Sequence, residues 1–288
     1  MKTNFISSRL LLIVATLTLG FMSCNKDNLS DVSDEESVAS QGLSIAAVED
    51  GNTMLMADQA EANGSVSNMR VATINDGTDA DILGDCAVIT RDTMSSPKKI
   101  IIDFGTGCTS HNGVTRKGKI IITYNGGYRE IGTVIHVQTE DYYVNDNKVE
   151  INKTVKNLGP NENGNLTFEV NSTRVVTFPN GKFTSSTAVK QREWLHGANT
   201  PLDFSDDVFR VNTQGVHTSR NGVIYTFHSL TDLIRNVSCH EFVSGELRVS
   251  RKDNANRYFI INYGTGDCDD EATVTLDNGR SFTIDLRH

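Results

Sequence analysis

From about residue 85 onward the chain alternates in hydropathy. Leu166, Phe168 and Val170 interleave with Thr167, Glu169 and Asn171; Val274 and Leu276 interleave with Thr273 and Thr275. Near the C-terminus Phe282, Ile284 and Leu286 alternate with Thr283, Asp285 and Arg287. A period of two with one apolar and one polar face predicts half-buried antiparallel strands. Asn125-Gly126, Asn180-Gly181, Asn221-Gly222 and Asn278-Gly279 supply the left-handed turn chemistry that hairpins need. The four prolines, Pro97, Pro160, Pro179 and Pro201, lie outside the best strand runs. The pattern predicts roughly twelve to fourteen strands. The expected fold is mainly β, an antiparallel β-sandwich or extended curved sheet with a short N-terminal helical segment. No strand–helix–strand alternation is visible, which argues against a nucleotide-binding α/β fold.

The region before residue 85 reads differently. Lys2 and Arg9 precede an apolar run at 10–19, LLLIVATLTL, and then Gly20, Phe21, Met22, Ser23 and Cys24. A positive start, a short apolar stretch and a small residue before the cut form a secretory signal. The stretch is too short for the ~20 residues that span a bilayer as a helix. Ser23-Cys24 at this position resembles a bacterial lipoprotein signal, although Phe21 stands where Leu is usual. The resemblance implies that residues 1–23 are removed and that Cys24 becomes the lipidated N-terminus. Residues 24–84 read as an acidic tether with a short helical segment. Asp27, Asp31, Asp34, Glu35 and Glu36 make its first part polar, out to about residue 42. Helix-like spacing of Leu43, Ala46, Ala47, Met54 and Leu55 predicts one or two short helices within 43–62, weakened by Gly51 and Asn52. Residues 63–84 read as a loop.

Five cysteines are present; with Cys24 lipidated, Cys86, Cys108, Cys239 and Cys268 remain. An even number in an exported chain suggests two disulfides in one of three connectivities. An internal repeat chooses between them. The segment KKIIIDFGTGC ends at Cys108 and RYFIINYGTGDC ends at Cys268, each an apolar strand, an Asp or Asn, an aromatic residue, Gly-Thr-Gly and a cysteine. Another cysteine stands upstream of each, so the repeated units (85–125 and 238–288) predict Cys86–Cys108 and Cys239–Cys268. No Cys-x-x-Cys pair supports a structural zinc site.

The stretches IIIDFGTGC, GVTRKGKIIITY, YYVNDNKVE and NYGTGDCD resemble a group of uncharacterised Bacteroidetes β-rich lipoproteins. The likeness covers most of residues 85–288 and implies a secreted β-rich domain. It carries no catalytic residue. The Cys24-Asn25-Lys26-Asp27 start is similar to lipoproteins of the same group, in which such a start often accompanies export to the cell surface.

Composition narrows the choice of function. A mean hydropathy of -0.31 excludes a polytopic membrane protein. Net charge is -9, and loss of Lys2 and Arg9 with the signal takes it to -11. Without a basic cluster, nucleic-acid binding is not expected. The seven histidines include His136 and His228 within expected strands and form no zinc-protease pair. His240-Glu241 beside Cys239 suggests a Cys–His pair only if Cys239 is free. Asp267, Asp269, Asp270 and Glu271 are a weak candidate for an oxygen-lined Ca²⁺ site, as are Asn75, Asp76, Asp79 and Asp81; a solvated turn is the plainer reading of both. Trp194, the single tryptophan, and Tyr142-Tyr143 are the aromatic residues a glycan platform would use, but Trp194 reads first as core. Asp92-Thr93-Met94 resembles the Asp-Thr-apolar acceptor for O-glycosylation in Bacteroidetes, with Thr93 as acceptor. The expected function is that of a lipid-anchored outer-membrane protein, at the cell surface, with a non-catalytic structural or binding role and no cofactor. The runner-up is a glycan-binding or hydrolytic accessory protein of a surface nutrient system.

Overall fold

The computed structural model describes residues 34–62, 83–110, 113–200, 203–239 and 241–286. It opens with one helix, α1 (Asp34–Ala62). Strands β1 (Val88–Asp92), β2 (Lys98–Asp103), β3 (Cys108–Thr109), β4 (Thr115–Tyr124) and β5 (Val134–Val144) follow. The centre of the sheet consists of β6 (Asn147–Pro160), β7 (Leu166–Thr177), β8 (Phe183–His196) and β9 (Val208–Thr218). Next come β10 (Ile224–Ser229), β11 (Leu233–Asn236), β12 (Glu241–Arg251), β13 (Tyr258–Thr265), β14 (Glu271–Leu276) and β15 (Ser281–Asp285).

All fifteen strands belong to one antiparallel sheet that runs as a meander from β1 to β15. The count exceeds the sequence expectation because β3 is only two residues long and because β10 and β11 are two halves of one interrupted path. Both halves pair with β9 on one side and β12 on the other. The period of two holds as expected. Along β6 Val149, Ile151 and Val155 are buried, whereas Glu150, Asn152 and Lys156 are exposed. Val274 and Leu276 are buried too, and so is Ile284.

Three of the four Asn-Gly pairs sit in tight hairpins, with Gly181, Gly222 and Gly279 all in the left-handed region. Asn125-Gly126 does not. It begins the longer connection 125–133, where Asn125 Oδ1 accepts the Val134 N–H at 2.8 Å. The tight turn between β5 and β6 instead uses Asn145-Asp146, both at positive φ, a conformation that short polar side chains tolerate.

The helix differs from expectation. In place of one or two short helices within 43–62, α1 is continuous over 29 residues and takes in residues 34–42, which the sequence assigned to a solvated tether. Glu36, Ser40 and Ser44 are buried. The helix touches β2 and β15, next to and at opposite edges of the sheet, as well as β8 and β12 between them. The sheet therefore curves around α1. Enclosure on most sides explains why α1 lacks a single apolar stripe: no large face is left to solvent. Among the described residues no helix is long and apolar enough to cross a membrane.

Candidate functional site

The main chemistry in the molecule lies between α1 and the inner face of the sheet. Strand alternation turns Lys153 of β6 inward beside Ile151 and Val155, and it is fully buried. Its Nζ lies 2.7 Å from Asp50 Oδ1 on the helix and donates to Thr53 Oγ1 at 2.8 Å and to the Asp50 carbonyl. Lys190 of β8 reaches the other oxygen of the same carboxylate. Burial alone would raise the Asp50 carboxyl, but the two ammonium groups override it and hold the group far below the usual carboxylate range. Burial pushes Lys153 down to about 8 against the pull of Asp50.

The same inner face supplies further cations. Arg174 of β7 donates to the Ala46 carbonyl. Arg116 of β4 lies 4.0 Å from Glu49 and donates to Ser110 Oγ at 3.0 Å. At the start of the helix Glu36 pairs with Arg257 at 3.3 Å. Glu35 accepts from Ser219 and from Asn221 at 2.8 Å, and the Tyr225 hydroxyl lies 3.3 Å away. Removing one member of a buried pair such as Lys153–Asp50 is expensive because the other charge stays in a poor solvent.

Gly51, read as a helix-weakening residue, has a positive reason. The Arg235 guanidinium of β11 lies flat against the helix there, and a Cβ at Gly51 would sit 1.8 Å from Arg235 Nη1. Arg235 Nη2 donates to Asn52 Oδ1 at 3.1 Å, so the Gly-Asn step that breaks the helical pattern receives the arginine. His217 of β9 is also buried here, 2.9 Å from Ser186 Oγ. Burial, aided by Arg174, pushes it down to about 4.

Two open depressions adjoin this core. A cleft of about 470 Å³ runs beside α1, with Val38, Ile45, Val149 and Phe178 in its walls and Arg174 and Arg220 as its cations. Arg220 stacks on Phe178 at 3.6 Å. On the outer face, Asn152, Thr154, Asn171 and Gln214, together with the exposed Val189 and Val216, line a shallow trough of about 740 Å³.

The repeat is visible in three dimensions. Cys86 is bonded to Cys108 and Cys239 to Cys268, with Cα separations of 5.5 and 5.3 Å, the pairing the repeat predicts. Each cystine clasps one antiparallel strand pair, β1–β2 or β12–β13. The shared motif has a common physical basis. Asp103 Oδ1 accepts the Gly105 N–H at 2.8 Å and Asn262 Oδ1 accepts the Gly264 N–H at 2.9 Å. Each acid or amide thus closes a turn on itself, and both glycines adopt positive φ. The intervening aromatics, Phe104 and Tyr263, are both 2% exposed.

The second unit carries an addition. Glu241 is buried, its Oε1 accepts the Asp270 N–H at 3.0 Å, and burial together with Asp270 and Asp269 pushes it up to about 7. Asp267, Asp269 and Glu271 are exposed. Among the described residues no group of three or more His, Cys, Asp or Glu is arranged to hold a metal.

The remaining sequence candidates fall as follows. Trp194 is 1% exposed and donates to Asp207 Oδ1 at 3.0 Å, packed among Tyr128, Phe168 and Phe209. It belongs to the core, and Tyr142 is buried beside Phe104. His136 and His228 are exposed on the outer face. Thr93 is exposed in the turn after β1, where Asp92 accepts the Met94 and Ser95 N–H groups. Cys24, Asn75, Asp76, Asp79, Asp81 and His240 lie outside the described residues. The helix-bound cations were missed in the sequence. The available signal was a lysine on the apolar phase of a strand, Lys153 between Ile151 and Val155.

The fold and site define a protein with a single curved antiparallel sheet, clasped by two cystines and closed on a buried, ion-paired helix. No protein-family model matches the chain, and neither a curated protein sequence nor a solved structure matches it.

Proposed function

We propose that the protein is lipid-anchored through Cys24 in the outer membrane, facing the cell surface, and that its β domain has a non-catalytic structural or binding role. The observation that carries this reading is the position of α1. Helix α1 is built into the domain from its first turns by Glu35 and Glu36. Only residues 25–33 separate it from Cys24, a covalent reach of at most about 30 Å. The anchor therefore tethers the sheet through a helix held by ion pairs rather than through a tether of some sixty residues. The buried lysines and arginines are engaged with that helix instead of converging on an open cleft. A binding role would act at the cleft beside α1, where the exposed Arg220 stands beside apolar walls. Lipidation of Cys24 is the expected source of membrane attachment, since the net charge of -11 left after loss of residues 1–23 favours repulsion from anionic lipid.

Protease shaving of intact cells, alongside a periplasmic control protein, tests the placement. Release of the domain from unbroken cells is expected. Protection until the outer membrane is opened overturns the surface assignment. Persistence of Cys24→Ala in the membrane fraction overturns the anchor. Intact-mass measurement on the same material reads Thr93 glycosylation, since added hexose mass lost in Thr93→Ala is the expected result.

A further inference from the structure

We propose that the cleft between α1 and the end of β7 binds an unbranched monocarboxylic acid of medium chain length, its carboxylate on Arg220 at the mouth and its hydrocarbon chain between Val38, Ile45, Val176 and Phe178. This ligand gives the binding role proposed above its chemistry and rests on that role being exercised at the cleft. The cleft encloses about 470 Å³, within the ~300–1,000 Å³ of small-molecule sites, which are mostly apolar with a few placed polar groups.

Two periodicities build the walls. Val38, Gly42 and Ile45 stand four and three residues apart and share one face of α1. Val176 and Phe178 continue the inward phase of β7 beyond Arg174. Val38, Ile45, Val176 and Phe178 are only half-buried, so the apolar wall still faces solvent. From Arg174 to Phe178 the chain covers about 13 Å. The inner end is polar but engaged: Arg174 donates to the Ala46 carbonyl, and Glu49 accepts from Asn52 at 3.3 Å and lies 4.0 Å from Arg116. At the mouth Arg220 is exposed, lies 3.6 Å over the Phe178 ring and forms no hydrogen bond or ion pair among the described residues. The stack holds the guanidinium at the edge of the apolar wall with its N–H fork open, and a planar carboxylate matches that fork. Glu35 accepts from Ser219 and Asn221 on either side of Arg220. That neighbouring charge favours a head with one negative charge over a dianionic phosphate.

Gly42 bears on the cleft independently. A glycine inside a helix is less stable than an alanine. At Gly51 the Arg235 guanidinium leaves no room for a side chain, whereas a Cβ at Gly42 would meet His217 Nε2 at 3.7 Å and Thr184 Cγ2 at 3.8 Å, both ordinary contacts. Packing within the chain therefore does not exclude a side chain at 42. The effect of the glycine is to leave open the space it lines.

The test is calorimetric titration of octanoate into the chain from residue 24 onward, carrying Cys24→Ala and therefore free of lipid and detergent. Saturable binding of one molecule per chain is expected, with 1-octanol about tenfold weaker because it lacks the charge-assisted bond. Absence of saturable binding at millimolar octanoate overturns the proposal, and so does 1-octanol or octylammonium binding as tightly as octanoate. Arg220→Gln, in an exposed turn, is expected to keep the parent Tm and to lower octanoate affinity to that of 1-octanol. Unchanged affinity in that variant overturns the assignment of the head group. Gly42→Met, which fills the cleft from the helix, is expected to abolish binding of both probes while unfolding remains cooperative. Full binding by Gly42→Met places the ligand elsewhere and equally overturns the proposal. Because lipid-free chain in solution is measured, failure here leaves the Cys24 anchor and the surface placement standing, and failure of the shaving experiment leaves the ligand standing.

Discussion

The cystine-clasped units and the helix-filled groove stabilise the same sheet by different routes. Within the clasps the partners are close in sequence, 22 and 29 residues apart, and each unit repeats the same turn and the same buried aromatic. In the groove the partners are remote: Lys153 lies 103 residues and Lys190 140 residues from Asp50. A clasp acts mainly on the unfolded chain by shortening its loops. The groove acts on the folded state, because its charges have partners only while α1 is seated. The two regions should therefore fail differently when perturbed.

The largest effect is expected at the groove. Asp50→Ala leaves Lys153 buried without its carboxylate and should cost about 3–5 kcal/mol. Urea unfolding measures this, with Glu150→Ala on the exposed face of the same sheet as the control, expected within about 0.5 kcal/mol of the parent. Equal losses in both variants would contradict a specific role for the groove. Next comes removal of a clasp. Cys86→Ser with Cys108→Ser should cost roughly 3 kcal/mol on the loop-entropy model. Hydrogen exchange should then show lost protection in β1, which among the described residues pairs only with β2, before any loss around α1. Gly51→Ala should cost about 2 kcal/mol through its collision with Arg235. Adding Arg235→Ala should recover part of that loss, and strict additivity in the double-mutant cycle would speak against the contact.

The pH response separates the regions with opposite signs. His217, in the groove, is pushed from its ordinary 6.5 to about 4. Below pH 6.5 the unfolded chain takes up a proton that the folded one refuses, so stability falls as pH drops from 6.5 towards 4. Glu241, at the second clasp, is pushed from 4.5 up to about 7. There the folded chain holds the extra proton, and stability falls as pH rises from 4.5 to 7. Each contributes up to about 3 kcal/mol, and the two slopes oppose each other between pH 4.5 and 6.5. Glu241→Gln should expose the His217 slope and His217→Gln the Glu241 slope, as read by Tm across that range; parallel curves for both variants would refute the assignment. The smallest effect is expected at the repeated turns. Asp103→Ala and Asn262→Ala should each cost about 1 kcal/mol, and similar values in denaturant titrations would show that the two units remain energetically equivalent.

Much of the fold was legible because strands announce themselves residue by residue. Alternation at Phe168–Val170 and at Val274–Leu276 predicted which side chains are buried, Leu166 at the end of its strand being only half-buried, and the Gly-Thr-Gly repeat predicted which cysteines join. Asn125-Gly126 misled because an identical dipeptide serves a nine-residue connection as readily as a tight hairpin. The helix was legible only in fragments. Glu36 looks solvated when read locally, and Gly51-Asn52 looks like a break. Both acquire their meaning from Arg257 and Arg235, some two hundred residues away.

The sequence by itself determined the alternating strands, three of the hairpin turns and the two cystine pairs, because each depends on neighbours within one or two strands. Only the tertiary structure decided that residues 34–62 form one helix, that the sheet curves around it, and that Lys153, Lys190, Arg174 and Arg235 face inward towards it. The physical reason is the range of the forces involved. Turn geometry and strand phase are set by local sterics, whereas a buried charge is tolerable only where a partner from a distant part of the chain meets it.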